Sequence, residues 1–154
     1  MSELTRRYLF RVAIAAVICD TWAYLPAAGD GTKTATRVAL DGYDPVAYFT
    51  DAHPVKGSSA FSFSFDEVVY YFASAEHQKM FSADPDRYAP QYSGYCTVGV
   101  SMGKKAEADP QVWAISNGRL FVFFNQNGHA VFAEDSAGII VKANTNWSAL
   151  KDQH

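Results

Sequence analysis

The sequence predicts an α+β fold in which two β-hairpins make a small antiparallel sheet and short helices pack on it. Three observations lead there. Phe61-Ser62-Phe63-Ser64-Phe65 alternates apolar and polar residues, and Asp66-Glu67 then turns the chain into Val68-Val69-Tyr70-Tyr71-Phe72, which reads as one hairpin. Val112 to Ile115 and Leu120 to Phe124 flank Asn117-Gly118, the pair favoured by type I′ turns, and read as a second. Ile140, Val141, Asn144, Trp147 and Leu150 recur at three and four, a helical spacing. The 154 residues fit one domain, and 49% hydrophobic against 19% charged residues exclude a disordered tail. A formal charge of -3 argues against a nucleic-acid binder, which needs clustered Lys and Arg.

The elements follow in order. Arg6-Arg7 precedes a modestly apolar run, Val12 to Ile18, which Asp20 interrupts well short of the roughly 20 residues of a spanning helix. Residues 1–28 therefore read as a twin-arginine export signal, cleaved near Ala27 or Ala28, so that the chain meets the membrane only during export and works in the periplasm. Residues 29–37 read as a linker and 38–152 as the folded domain. With Cys19 in the signal, Cys96 remains as a lone thiol. Pro45 biases Asp44 away from the helical region, so Leu40 to Phe49 reads as a turn into a short strand or helical turn. After the first hairpin, Ser74 is the expected N-cap of a helix over 75–81 that ends before Pro85. Residues 84–90, with Pro85 and Pro90, read as a turn. Gly94 to Gly103 is apolar and glycine-punctuated, and periodicity does not decide its class. Helices over 128–135 and 137–150 complete the chain, and no internal repeat is read in it.

Four motifs in this order, Gly42-Tyr43-Asp44-Pro45-Val46-Ala47-Tyr48-Phe49, Tyr71-Phe72-Ala73-Ser74-Ala75-Glu76-His77, Asp84-Pro85-Asp86-Arg87-Tyr88-Ala89-Pro90-Gln91-Tyr92 and Gly94-Tyr95-Cys96, resemble the YHS-domain family in its longer exported bacterial form. The resemblance covers Val38 to Leu150. Short members are associated with heavy-metal handling beside copper-transporting ATPases, and carry cysteines after the Asp-Pro-Val and around the Phe-x-Ser motif. Here those positions hold Ala47 and Ala73, and His77 stands where another cysteine often falls. The soft-ligand set is mostly missing.

Cys96 offers a thiol, which binds Cu(I) or attacks electrophiles once its pKa is lowered and solvent reaches it; the competing reading is a buried, inert cysteine. His77 and Met80 share a helix face, an imidazole and a thioether that both suit copper. The bland version puts Met80 and Phe81 in the core, with His77 capping or hydrogen-bonding nearby. Met102 shares the side of Cys96 only if the segment between them is extended. His53 reads as a surface residue, His129 as the start of a helix, and His154 as terminal. Tyr43, Tyr48, Tyr71, Tyr88, Tyr92 and Tyr95 either line a cleft or stand half-buried with satisfied hydroxyls. No H-x-x-x-H or C-x-x-C occurs, so the local signatures of zinc proteases and dithiol redox proteins are absent.

Three functions are expected from these residues. The first is a periplasmic, non-catalytic binding module that handles copper through Cys96 and His77, with Met80 or Met102 as extra sulfur and a metal donor or acceptor protein as partner. The second is a thiol-dependent enzyme or redox sensor in which His77 lowers the pKa of Cys96. The third is a domain that binds a partner or small ligand through an aromatic surface.

Overall fold

The computed structural model describes residues 37–153. The segment expected to be an export signal, Cys19, His154 and residues 29–36 of the expected linker lie outside the described residues. Arg37, the last linker residue, already opens strand β1 (Arg37–Val38). There follow α1 (Ala47–Thr50), β2 (Ser58–Phe65), β3 (Val68–Phe72), α2 (Ala75–Ala83), α3 (Pro85–Tyr88), α4 (Thr97–Ser101), β4 (Asp109–Ser116), β5 (Arg119–Phe123), α5 (Gln126–Glu134) and α6 (Ser136–Leu150). Two 3-10 segments, Ala39–Gly42 and Gln91–Gly94, precede α1 and α4.

The class is α+β, and both antiparallel hairpins form at their expected turns. They occupy separate sheets. β1 adds to β3 in parallel to make the order β1-β3-β2, while β4 and β5 pair alone. Each hairpin is backed by its own helix, α2 on β2 and β3, α5 on β4 and β5.

Capping side chains set the helix starts. Ser74 accepts from the His77 amide at 3.1 Å, and Asn125 accepts from the Gly128 amide at 2.9 Å. The two-proline stretch expected as a turn instead opens with α3: Asp84 caps it and Pro85 takes the first position, where a missing N–H costs nothing. The undecided stretch after Gly94 becomes α4, with Cys96 at its N-cap.

The element order repeats, which corrects the sequence reading. Each half runs a 3-10 segment, a short helix, a hairpin of eight- and five-residue strands, a nine-residue helix and a further helix. The match extends to backbone detail. Leu40-Asp41 and Tyr92-Ser93 all lie at φ between 49° and 56°, ahead of Gly42 and Gly94 at 75° and 80°. Non-glycine residues enter this region at a cost that only surrounding structure sustains. Tyr43 bridges to Lys56, and Tyr95 to Glu107. The pairing slips between Ser58 and Ser62 in one hairpin and between Asp109 and Trp113 in the other, the same positions counted along each.

Each half also closes over an equivalent aromatic set. Phe81 packs on Tyr70 and Phe72, and Phe132 packs on Phe121 and Phe123. β5 joins the two clusters, because Leu120 and Val122 face the first while Phe121 and Phe123 face the second.

Candidate functional site

The Asp44 carboxylate is fully buried. Its Oδ1 accepts from the Val46 amide at 2.8 Å, and its Oδ2 accepts from the Ala73 amide at 2.8 Å and from His77 Nδ1 at 2.7 Å. A carboxylate taken out of water requires such donors. Ser74 fixes the start of α2, which places His77 in the first turn against this acceptor. The hydrogen of the imidazole is thereby assigned to Nδ1, and Nε2 becomes the free edge, 3.5 Å from Thr50 Oγ1. Sequence reasoning singled out His77 and missed Asp44. The available signal was an acid directly ahead of Pro45 inside an otherwise apolar stretch.

The other candidates lie apart from this pair. Cys96 is 4% exposed in the second apolar cluster, where its sulfur accepts from the Gly99 amide at 3.5 Å. The structure makes no thiol–imidazole hydrogen bond among the described residues, and the Cys-His pairing of the thiol-enzyme expectation is not formed. The repeat gives the reason. Counted from Gly42-Tyr43 and Gly94-Tyr95, Cys96 takes the place of Asp44; counted from the caps Ser74 and Asn125, Gly128 takes the place of His77. His129, the next residue, sets its ring against Phe123 at 5.3 Å.

Met80 packs against the first cluster, as the bland reading held. Met102 is 68% exposed, because the segment after Cys96 is helical rather than extended. Among the described residues, no group of three or more His, Cys, Asp or Glu side chains is placed to hold a metal. Reaction of Cys96 with a thiol reagent is expected to run at least about a hundredfold slower in the native protein than in denaturant, since the reagent must wait for an opening of the fold. Equal rates would show that the sulfur is accessible.

A cleft of about 230 Å³ lies where the halves meet, with Asp66, Tyr70 and Asp86 from the first half and Tyr92, Arg119 and Trp147 from the second among its walls. The Tyr92 hydroxyl donates to Asn144 Oδ1 at 3.0 Å, and its ring stands edge-on to Trp147. Arg119 Nη1 donates to Gln91 Oε1 at 3.3 Å, and no carboxylate pairs with this guanidinium among the described residues.

Tyr70 is 1% exposed and lines the cleft, but its hydroxyl is not a buried unpaired group; among the described residues only Thr97 Oγ1 is one. Burial, and then the Asp66 carboxylate, push the Tyr70 hydroxyl well above the usual tyrosine range. Burial also pushes Tyr92 up to about 12, against the opposing pull of Arg119. A broader hollow of about 330 Å³ lies within the first half over Lys56 and Tyr71, but Lys56 there is already paired with Asp41.

Of the cleft residues, sequence reasoning singled out only Tyr92, because the others meet only when the halves assemble. Comparison of the chain with protein-family models, with curated proteins and with solved structures finds no match.

Proposed function

We propose that this protein is a non-catalytic module that binds a small ligand in the cleft between its two halves, and that it works in the periplasm after export directed by residues 1–28. One observation carries the reading: carboxylates from the first half and a guanidinium that has no counter-ion among the described residues line one hollow together with Tyr70 and Tyr92. A charged group left open at a cleft is one that a ligand completes. Clefts between structural halves are common binding places, and Trp147 and Tyr92 add aromatic surface of the kind expected from composition.

The test is a polar fragment library at millimolar concentration, read by amide chemical shifts of the full chain. Hits are expected to move Tyr92, Ser93 and Arg119 together. A library whose hits all fall elsewhere, or that yields none, overturns the proposal.

A second reading rests on His77. Asp44 holds the ring by Nδ1 and leaves Nε2 outward, which is how carboxylates orient metal-bound imidazoles. Copper handling then proceeds through His77, with a metal donor or acceptor protein as partner and no part for the buried sulfur of Cys96. Equilibrium dialysis with Cu(I) is expected to show uptake by the wild type and by Cys96→Ala, and loss of it in His77→Ala. Uptake that persists in His77→Ala rules the reading out.

A further inference from the structure

We propose that the cleft ligand is a small zwitterion of the amino-acid class, its carboxylate held by Arg119 and its ammonium by Asp66 and Asp86. This rests on the cleft being the ligand site and adds what the site selects.

The cleft walls carry both charges, Asp66 and Asp86 from the first half and Arg119 from the second. Arg119 is tied to Gln91 by one nitrogen, a neutral partner that leaves the rest of the guanidinium fork available, and such forks match carboxylates in two-point geometry. Asp66 sits in the turn of the first hairpin and Asp86 in the first turn of α3; both are exposed, and neither forms an ion pair among the described residues. Tyr70 lines the same cleft, and a tyrosine hydroxyl is able both to accept from an ammonium and to donate to a carboxylate. A simple anion entering the cleft meets two carboxylates, and a simple cation meets the guanidinium. A molecule bearing both charges meets a partner for each, and the unfavourable pairings exclude the others.

Phe65 and Trp147 supply apolar surface for the body of the ligand. The volume of about 230 Å³ equals that of roughly eight water molecules at ~30 Å³ each, which suits a free amino acid rather than a nucleotide.

Leucine, 4-methylpentanoate and 3-methylbutylamine share one branched body and carry both charges, the carboxylate alone and the ammonium alone. Titrated into the full chain and followed by amide shifts at Tyr92 and Arg119, leucine is expected to bind about tenfold or more tighter than either analogue. Arg119→Met should weaken leucine by about tenfold and leave 3-methylbutylamine unweakened, while Asp66→Asn should weaken leucine and 3-methylbutylamine and leave 4-methylpentanoate unweakened. Both side chains are exposed, so both variants are expected to fold, with unaltered amide spectra outside the cleft as the control. Equal binding of all three probes, or unchanged leucine affinity in both variants, overturns the zwitterion assignment while the cleft remains a ligand site. Silence of these probes together with cleft binding by a neutral fragment does the same. Silence of every probe and fragment overturns both proposals.

Discussion

Replacing Asp44 with alanine is expected to lower the unfolding free energy by about 3–5 kcal/mol, because it strips the buried donors that converge on the carboxylate of their acceptor. Three donors converge on this carboxylate: the amides of Val46 and Ala73, and His77 Nδ1. In Asp44→Ala the two amides lose their acceptor in the interior, at about 1–3 kcal/mol for each group left unsatisfied. The side chain also ties the loop before α1 to the start of α2, so its loss loosens two segments that lie far apart in sequence.

Asp44→Asn keeps the shape but presents an NH₂ to one set of donors, and should lose nearly as much. His77→Gln removes only the imidazole and should cost about 1–2 kcal/mol. Urea unfolding of the three variants checks the ordering, and Asp44→Ala should lower the melting temperature by about 10–20 °C. An Asp44→Ala loss below about 1 kcal/mol would mean that the carboxylate does not bind these segments together.

Above pH 10 the protein is expected to lose stability steeply. Tyr48, Tyr70 and Tyr92 all hold their protons above the ordinary tyrosine value of about 10, each chiefly through burial. For Tyr48 the negative charges of Tyr43, Asp109 and Asp44 add to this, and its hydroxyl donates to the Pro110 carbonyl at 3.0 Å. The unfolded chain releases these protons near pH 10, while the folded chain retains them. Stability from the three groups is therefore fully present below pH 10 and falls as pH rises through the folded values. For Tyr92 that window runs from 10 to about 12. Each retained proton tilts the balance toward unfolding by about 1.4 kcal/mol per pH unit within its window.

Tyrosinate absorbance and far-ultraviolet circular dichroism followed together check this. Part of the tyrosinate signal should appear only as the fold is lost, and Tyr70→Phe should make the alkaline transition less steep. Ionisation of every tyrosine near pH 10 with the circular dichroism unchanged would contradict it.

Much of the local structure was legible because its causes are local. Alternation at 61–65, the Asn117-Gly118 turn and the Ser74 cap each act within a few residues, and each forms where expected. Pro85 was misread as turn-forming because its effect depends on the residue before it: with Asp84 as cap, proline begins a helix. Cys96 illustrates the other limit. The lone thiol was visible, but its 4% exposure depends on aromatic packing contributed by β5 and α5.

By itself, the amino-acid order determined the α+β class, the two hairpins and the capped helices, since period, turn chemistry and capping are written in adjacent residues. Only the tertiary structure decided that Asp44 is the partner of His77, that the chain repeats its elements, and that Tyr70 and Arg119 face one cleft. The physical reason is that the repeat is conserved in backbone conformation, strand register and cap position while most residue types differ, and that a cleft between halves is made by side chains brought together through packing across tens of residues.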